Sequence, residues 1–350
     1  MSFRSAFLAS LLVLPFSVCS YKIDQSCNRK GVDGLVRDAM TNAFSMADSA
    51  LRRLNQDPYD PHTEDLITHL FLPKNGQDPK DRDKMSKVKR ILEEVNKSYR
   101  LETTGELGSK DAIIYCDGSR YEDRGKRDGL FRKLYYDTST NTHVLYKKQS
   151  CHEGLTDFPT LAVTYNPEWE SEDIEDKPPT QIQLCPWFVD WIKNKEYKLH
   201  NDVIRSNFGR YVIKKAEANQ GLKQIDAFSL LDKVLLHEMT HGRSAWEGEM
   251  RINGEWKTFE GTADLPVPGT ALIPFPPLSW LFPVRPAYGW KWARDLALRG
   301  PDTSGLHPWN PEAPDHNADS IAMFGSAAKL LDDPEKPRRV LEDGRIEIIS

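Results

Sequence analysis

The sequence lacks the excess of basic residues that nucleic-acid-binding proteins usually show. Its 350 residues include 47 lysines and arginines and 52 aspartates and glutamates, which gives a formal net charge of −5. Contacts to phosphates need a positively charged face, so nucleic acid is not an expected partner. The chain is not poor in aromatic residues as disordered proteins are, since it holds 9 Trp, 12 Tyr and 14 Phe. The composition therefore predicts a folded globular protein.

Long hydrophobic runs are also absent beyond the first twenty residues. No later stretch approaches the roughly 18 apolar residues that a membrane-spanning helix needs. Residues 1–20 combine the basic Arg4 with an uncharged apolar run at 6–18, which is typical of a secretory signal peptide. We expect this leader to be removed, which leaves a secreted, extracellular protein without a membrane anchor.

Cysteine is scarce, with five residues, and the Cys-x-x-Cys pair of a redox or zinc-ribbon site is missing. Cys19 would leave with the leader. The four remaining cysteines are an even number in an oxidising compartment, so we expect two disulfides, for which the count alone allows three connectivities. These cysteines are Cys27, Cys116, Cys151 and Cys185.

Hydrophobic patterns predict helices on either side of a short β region. Apolar residues recur at steps of three and four over 31–55, and four later segments also have helical character. The predicted helices are 31–55, 81–100, 226–241, 288–298 and 318–331. Short β-prone runs separated by turn residues predict a sheet of about four strands. These runs are 112–115, 142–146, 161–165 and 181–184.

This order of elements favours one α+β domain, covering 21–350, in two lobes. We expect an upper lobe at about 21–242, a lower lobe at about 243–332 and a peripheral tail at 333–350. Residues 265–286 hold seven prolines, which exclude a regular helix or central strand, together with several large apolar residues. We therefore predict an ordered loop that packs on the body of the protein.

The most informative stretch is His237-Glu238-Met239-Thr240-His241. Residues four apart lie on one face of a helix, so both histidines can bind the same metal ion. Neutral imidazole is a common zinc ligand, and we therefore expect Zn²⁺ as the cofactor. Glu238 follows the first ligand and can accept the proton of a metal-activated water, which predicts that it is the general base.

A catalytic zinc site also needs a third protein ligand and an open fourth position. The residues that follow His241 do not supply the third histidine of an HExxHxxGxxH motif. A Gly-Thr-Ala-Asp run at 261–264 and a Tyr-Gly pair at 288–289 suggest a different arrangement.

With these motifs the chain resembles the deuterolysin-like metalloendopeptidases of fungi, also called aspzincins. That family carries HExxH followed by Gly-Thr-x-Asp-x-x-Tyr-Gly. The first motif matches in full, while the two halves of the second match at 261–264 and 288–289. Shorter matches are spread over most of the mature chain at Cys27, Leu184-Cys185-Pro186 and Asn317-Ala318-Asp319.

The resemblance implies a two-lobed zincin-like metalloprotease fold, with a small, mainly antiparallel sheet and a central HExxH helix. It implies that Asp264 is the third zinc ligand and that Tyr288 donates to the developing oxyanion. Asp319 is implied to bind substrate or to cap the last helix. The disulfides that the resemblance implies are Cys27–Cys116 and Cys151–Cys185.

The chain departs from the family inside the second motif. Two residues separate the Asp and the Tyr in the family, whereas 23 residues stand between Asp264 and Tyr288 here. Either the proline-rich loop is inserted within the motif and Asp264 still binds the metal, or another carboxylate replaces it. The alternative carboxylates are Glu247, Glu249 and Glu260.

We therefore expect a secreted zinc-dependent endopeptidase that hydrolyses polypeptide substrates as a monomer. The alternative is a catalytically inactive, metalloprotease-like secreted effector or interaction protein. The intact Glu238 favours the enzyme, and the interrupted second motif favours the alternative.

Overall fold

A computed structural model describes residues 20–71, 85–128, 132–144, 151, 160–167, 177–194, 223–252, 255–265, 267, 286–299 and 314–349. The helices in these ranges are α1 (Gln25–Lys30), α2 (Asp33–Leu54), α3 (Pro61–Leu70), α4 (Ser86–Tyr99), α5 (Pro186–Asn194), α6 (Gln224–Ala227), α7 (Leu230–His241), α8 (Trp290–Arg299) and α9 (Ala318–Leu331). The strands are β1 (Ser20–Ile23), β2 (Leu101–Glu102), β3 (Ala112–Tyr115), β4 (Tyr121–Glu122), β5 (Arg127–Asp128), β6 (Arg132–Lys133), β7 (Tyr135–Asp137), β8 (Thr142–Val144), β9 (Ala162–Tyr165), β10 (Thr180–Leu184), β11 (Glu247–Ile252), β12 (Glu255–Glu260), β13 (Arg338–Val340) and β14 (Ile346–Ile348). None of these helices has the length and apolar character needed to cross a lipid bilayer.

The main hydrophobic core lies among α2, α4, α7 and α9, which pack against one another. Helix α7, which carries the HExxH motif, is buried all along Leu231–Thr240 because α2, α4 and α9 surround it. The apolar spacing that predicts a helix over 31–55 is the spacing of the buried face of α2. The predicted helices at 31–55 and 318–331 are therefore confirmed.

A five-stranded sheet with the strand order β2-β1-β3-β10-β9 lies beside this core. Strands β2, β1, β3 and β10 run parallel, and β9 pairs antiparallel with β10 at the edge. The prediction of a mainly antiparallel sheet is therefore wrong, since three of its four pairings are parallel. Parallel neighbours are joined by long crossover connections, which local sequence patterns do not reveal. The fold is α+β with a small mixed sheet.

Three of the four predicted strand runs belong to this sheet, as β3, β9 and β10. The run at 142–146 is placed differently, because β8 pairs with β7 in a separate antiparallel sheet that also contains β4. Within the five-stranded sheet, the two strands that the sequence did not predict are β1 and β2. Ser20–Ile23 overlaps the end of the predicted leader, and Leu101–Glu102 is too short to give a pattern.

Two disulfides hold the sheet side of the molecule together. Cys27 in α1 is bonded to Cys116 after β3, and Cys151 is bonded to Cys185 at the end of β10. Both are the pairs that the family resemblance implies. They close 89 and 34 residues of chain, respectively.

The single helix predicted over 226–241 is divided into α6 and α7. Between them, Ser229 has a positive φ of 45°, which interrupts the helical backbone. Two contacts of Asp226 accompany the break. Across it, Lys233 Nζ donates to the carbonyl oxygen of Asp226 at 2.6 Å. The Asp226 carboxylate in turn accepts from the backbone N–H of Trp290 at 2.7 Å, at the start of α8.

The charged tail predicted at 333–350 forms an antiparallel hairpin of β13 and β14. Val340 is buried and the hairpin packs on α9. The indole N–H of Trp290 donates to the carbonyl oxygen of Glu342, which joins the tail to α8.

Candidate metal centre

The two histidines of the HExxH motif occupy the last turns of α7. Their spacing of four residues places both imidazoles on one face, with 3.1 Å between His237 Nε2 and His241 Nε2. The helix ends directly after them, because Gly242 turns to an extended backbone with φ −63° and ψ 145°.

Asp264 reaches this pair because the chain after β12 crosses the end of α7 at contact distance. Gly261 has a φ of +76°, and a Cβ atom there would lie 2.0 Å from the carbonyl oxygen of His241. Only glycine fits this approach. Three residues later, Asp264 Oδ1 lies 3.2 Å from Nε2 of His237 and 3.2 Å from Nε2 of His241.

The three ligand atoms form a nearly equilateral triangle. A tetrahedral zinc site with bonds of about 2.0–2.1 Å needs its ligand atoms roughly 3.3 Å apart, close to the separations observed. In the part of the chain that the structure describes, this is the only group of three or more His, Cys, Asp or Glu side chains placed to hold a metal ion. The prediction that Asp264 lies beside both imidazoles is confirmed. This group could hold a metal ion.

The outer nitrogens of both imidazoles have partners that fix the rings. His241 Nδ1 lies 2.8 Å from the carbonyl oxygen of Thr262, which can only accept, so Nδ1 carries the hydrogen. His237 Nδ1 faces Asp319 Oδ1 at 3.3 Å. Such partners are typical of metal-binding histidines, because they orient each ring so that Nε2 faces the position of the metal.

The charge of Asp264 dominates the electrostatics of the centre. Burial opposes protonation of His237, but the hydrogen bond and charge of Asp264 outweigh it and raise the pKa of this imidazole well above its usual value. The pKa of His241 is raised in the same way. Burial alone would raise the pKa of Asp264, yet the two imidazoles hold it well below its usual range. The Asp264 side chain is still 34% exposed, so the centre is open to solvent.

Glu238 lies next to this triangle with its side chain buried. Its Oε2 accepts a hydrogen bond of 2.7 Å from the hydroxyl of Thr164 on the edge strand β9. Burial raises the pKa of the Glu238 carboxylate, although both imidazoles oppose the shift. A raised pKa makes a carboxylate a stronger base near neutral pH. No local sequence pattern indicates Thr164, because the contact joins a strand and a helix 74 residues apart.

Tyr288 lies beside the three candidate ligands, and its ring centroid is 5.8 Å from that of His237. Its hydroxyl donates to Asp264 Oδ2 at 2.5 Å, so the two carboxylate oxygens of Asp264 have different partners. Burial, followed by the negative charge of Asp264, raises the pKa of Tyr288 well above its usual value. The phenol therefore remains neutral and able to donate.

Asp319 is placed behind His237 rather than in an open position. One carboxylate oxygen faces the imidazole, and the other accepts from the backbone N–H of Gly289 at 2.6 Å. The residue is only 8% exposed. Its contacts with protein groups favour a role in holding His237 over the implied contact with substrate.

The other carboxylates considered as third ligand are not part of the triangle where the structure describes them. Glu260 forms ion pairs with Arg243 at 2.7 Å and Lys177 at 3.1 Å. Glu247 is exposed at the start of β11. The side chain of Glu249 and most of the proline-rich segment, 266 and 268–285, lie outside the described residues.

The chain matches no protein-family model, no curated protein and no solved structure. Its chemistry must therefore be inferred from the metal centre and the residues that support it.

Proposed function

We propose that this protein is a secreted zinc-dependent endopeptidase of the deuterolysin-like kind. The observation that carries the proposal is the convergence of His237 Nε2, His241 Nε2 and Asp264 Oδ1 within 3.2 Å of one another. The carboxylate of Glu238 lies close enough to interact electrostatically with all three residues. Two disulfides support an extracellular location, because such bonds persist in oxidising compartments.

The donor set supports zinc as the ion. Two imidazole nitrogens and one carboxylate oxygen suit zinc, which is commonly held by three protein ligands in catalytic sites. Zinc bound there would supply Lewis acidity, which polarises a carbonyl and lowers the pKa of water toward about 7.

The residues of the chain supply the proton transfers. Glu238 would take the proton from the attacking water and deliver it to the leaving amine, as a general base and then a general acid. Thr164 holds the Glu238 carboxylate in place through Oε2. Tyr288, whose raised pKa keeps it protonated, would donate to the oxyanion of the tetrahedral intermediate after its hydroxyl turns away from Asp264 Oδ2, its acceptor in this structure.

The position of β9 supports a polypeptide substrate. This strand is the edge of the five-stranded sheet among the described residues, and it carries Thr164 against Glu238. An exposed strand edge binds extended peptides through backbone hydrogen bonds. A substrate chain bound along β9 would pass close to the general base.

The proposal is tested with the purified mature protein, Glu238→Gln and the exposed control Glu247→Gln. We expect about one zinc per chain in all three and cleavage of unfolded casein by the wild type and the control. A chelator should abolish cleavage, and Glu238→Gln should lower it by about 10²–10⁴-fold, the usual contribution of a general base.

Two outcomes would contradict the proposal. Absence of zinc binding in the wild type would remove the metal centre. Zinc binding without cleavage of any member of a broad peptide library would favour the inactive effector or interaction protein.

A further inference from the structure

The residues of the interrupted second motif are brought back together in space. The backbone N–H of Ala287 donates to the carbonyl oxygen of Leu265 at 2.8 Å, so the chain leaves and rejoins the centre at adjacent positions. Leu265 directly follows the ligand Asp264, and Ala287 directly precedes Tyr288. One backbone hydrogen bond thus joins the first and the last of the 23 residues that separate Asp264 from Tyr288, and we call this junction the base of the insertion.

Asn317 adds a side-chain bridge to this base. Its Oδ1 accepts from the backbone N–H of Leu265 at 3.1 Å, and its Nδ2 lies 3.4 Å from the carbonyl oxygen of Ala287. Nδ2 also donates to the hydroxyl of Ser320 at 2.9 Å, which fixes the orientation of the amide. Only an amide side chain offers an acceptor and a two-hydrogen donor on one planar group. Asn317 is 1% exposed, so these bonds are shielded from bulk water.

The backbone around Asn317 follows the segment that carries Asp264. Ala263 donates to the carbonyl oxygen of His316 at 3.2 Å and accepts from the N–H of Ala318 at 3.1 Å. Ala263 and Asn317 therefore form a parallel bridge. Two residues later, Asp319 contacts both His237 and the backbone N–H of Gly289.

We propose that Asn317 is a positioning residue that joins Asp264 to Tyr288 across the insertion. The inference rests on the proposed function, because the positioned groups are the third metal ligand and the proton donor. A contiguous motif would fix the spacing of the two residues through its own backbone. In this chain the start of α9 does so through the contacts of Asn317 with Leu265 and Ala287.

The hydrogen bond from Tyr288 to Asp264 is the contact that should depend most on Asn317. Replacement by alanine leaves the N–H of Leu265 and the carbonyl oxygen of Ala287 each without one buried partner. The segment that carries Leu265 and the segment that carries Ala287 can then separate, which moves the hydroxyl of Tyr288 away from the Asp264 carboxylate. Loss of such an outer partner typically lowers metal affinity or activity by about 10–100-fold.

The first test is a double-mutant cycle of Asn317→Ala and Tyr288→Phe, measured as kcat/KM at saturating zinc. We expect Asn317→Ala to lower kcat/KM by about 10–100-fold in the wild type and by less than about threefold in the Tyr288→Phe background. A general loss of structure would lower kcat/KM by the same factor in the wild-type and the Tyr288→Phe backgrounds. Equal losses would therefore overturn the inference.

The second test does not depend on activity. Hydrogen exchange of the metal-free protein should show at least about tenfold faster exchange of the Leu265 amide in Asn317→Ala, with unchanged exchange in α7. The Co²⁺-substituted variant should also show an altered visible absorption spectrum. Ser326→Ala, at another buried position of α9, is the control and should match the wild type in both measurements.

The near-isosteric Asn317→Asp serves if the alanine variant fails to fold. It keeps the acceptor for Leu265 and removes the donor to Ala287, so the cycle should still be non-additive. If the Leu265 amide exchange, the Co²⁺ spectrum and kcat/KM of both variants equal those of the wild type, the inference is refuted and the proposed function is left intact. If Asn317→Ala speeds the exchange of the Leu265 amide but the wild-type protein binds no zinc, the proposed function is refuted instead.

Discussion

Asp264 makes two different contacts with its two carboxylate oxygens. Oδ1 faces both imidazoles at 3.2 Å, while Oδ2 accepts from the hydroxyl of Tyr288. A single side chain thereby contacts both imidazoles and the phenol. The contact with Tyr288 does not require the two residues to be close in sequence, so the two halves of the interrupted motif still meet in space.

Asp264→Ala should weaken zinc binding by at least about 10²-fold, since it removes one of three protein ligands. Glu247→Ala is the matched control, because Glu247 is an exposed carboxylate outside the triangle. Zinc affinity is measured by competition with a chromogenic chelator. Equal affinities for the two variants would show that Asp264 does not bind the metal.

A different carboxylate, that of Asp232, should make the free energy of unfolding depend on pH. It is fully buried in α7, and burial raises its pKa to about 8 against the opposing charge of Lys329. The folded state therefore retains a proton that the unfolded chain releases at about pH 4. The stability that this proton contributes is present below about pH 4 and is lost as the pH rises through about 8.

Asp232→Asn cannot ionise and should remove this part of the pH dependence. We expect the urea midpoint of the variant to exceed that of the wild type at pH 8.5, with a smaller difference at pH 5. Urea denaturation at both pH values measures the effect. If the difference in urea midpoint between the wild type and the variant is the same at pH 5 and pH 8.5, the assigned pKa shift is contradicted.

At the scale of elements, the junction between β12 and α7 has little space. Gly261→Ala would place a Cβ atom 2.0 Å from the carbonyl oxygen of His241 in a backbone with φ +76°. We expect a loss of stability of about 2 kcal/mol or more, because a close approach and a left-handed backbone are both disturbed. Zinc affinity should fall as well, since Asp264 lies on the displaced segment.

Gly34→Ala in α2 is the control for the glycine change. Nothing lies within 4 Å of a Cβ atom there, and alanine favours helix over glycine by about 0.5–1 kcal/mol. This variant should be slightly stabilised with unchanged zinc affinity. Thermal unfolding and metal competition distinguish the two variants, and a neutral Gly261→Ala would show that the junction can relax.

The sequence predicts a helix well where one of its faces is apolar. It predicts strand pairing poorly where the paired strands are far apart in the chain. The periodicity of α2 and the run of α9 are local properties, so both helices were predictable. The parallel pairing of β1 with β2 and β3 joins segments about 80–90 residues apart, and no local pattern records it. The same holds for the break between α6 and α7, where the Asp226 carboxylate accepts from the backbone N–H of Trp290, 64 residues away.

The candidate site divides in the same way. His237 and His241 follow from helical spacing, and the family resemblance indicated Asp264 and Tyr288. Thr164, which holds Glu238, and the bridging role of Asn317 depend on contacts between distant elements. Such supporting residues have ordinary local sequence contexts, so they become visible only once the chain is folded.

At the scale of the whole molecule, the centre gathers groups from distant parts of the chain. The histidines lie on α7, Asp264 follows β12, Tyr288 precedes α8, and Asp319 lies on α9. An unfolded chain cannot hold these groups together. A metal ion that binds there therefore binds the folded state far more tightly than the unfolded state, and its binding free energy adds to stability.

Removal of the metal should consequently lower the melting temperature. With free zinc at about 1,000 times its Kd, the added stability is roughly 4 kcal/mol, which corresponds to a shift of several degrees. Differential scanning calorimetry with and without a chelator measures it. Glu238→Gln should retain the full metal-dependent shift although it no longer cleaves substrate, whereas Asp264→Ala should lose most of it. If one zinc binds per wild-type chain and the chelator leaves the melting temperature unchanged, the ion occupies groups that remain available after unfolding, and the proposed centre would be wrong.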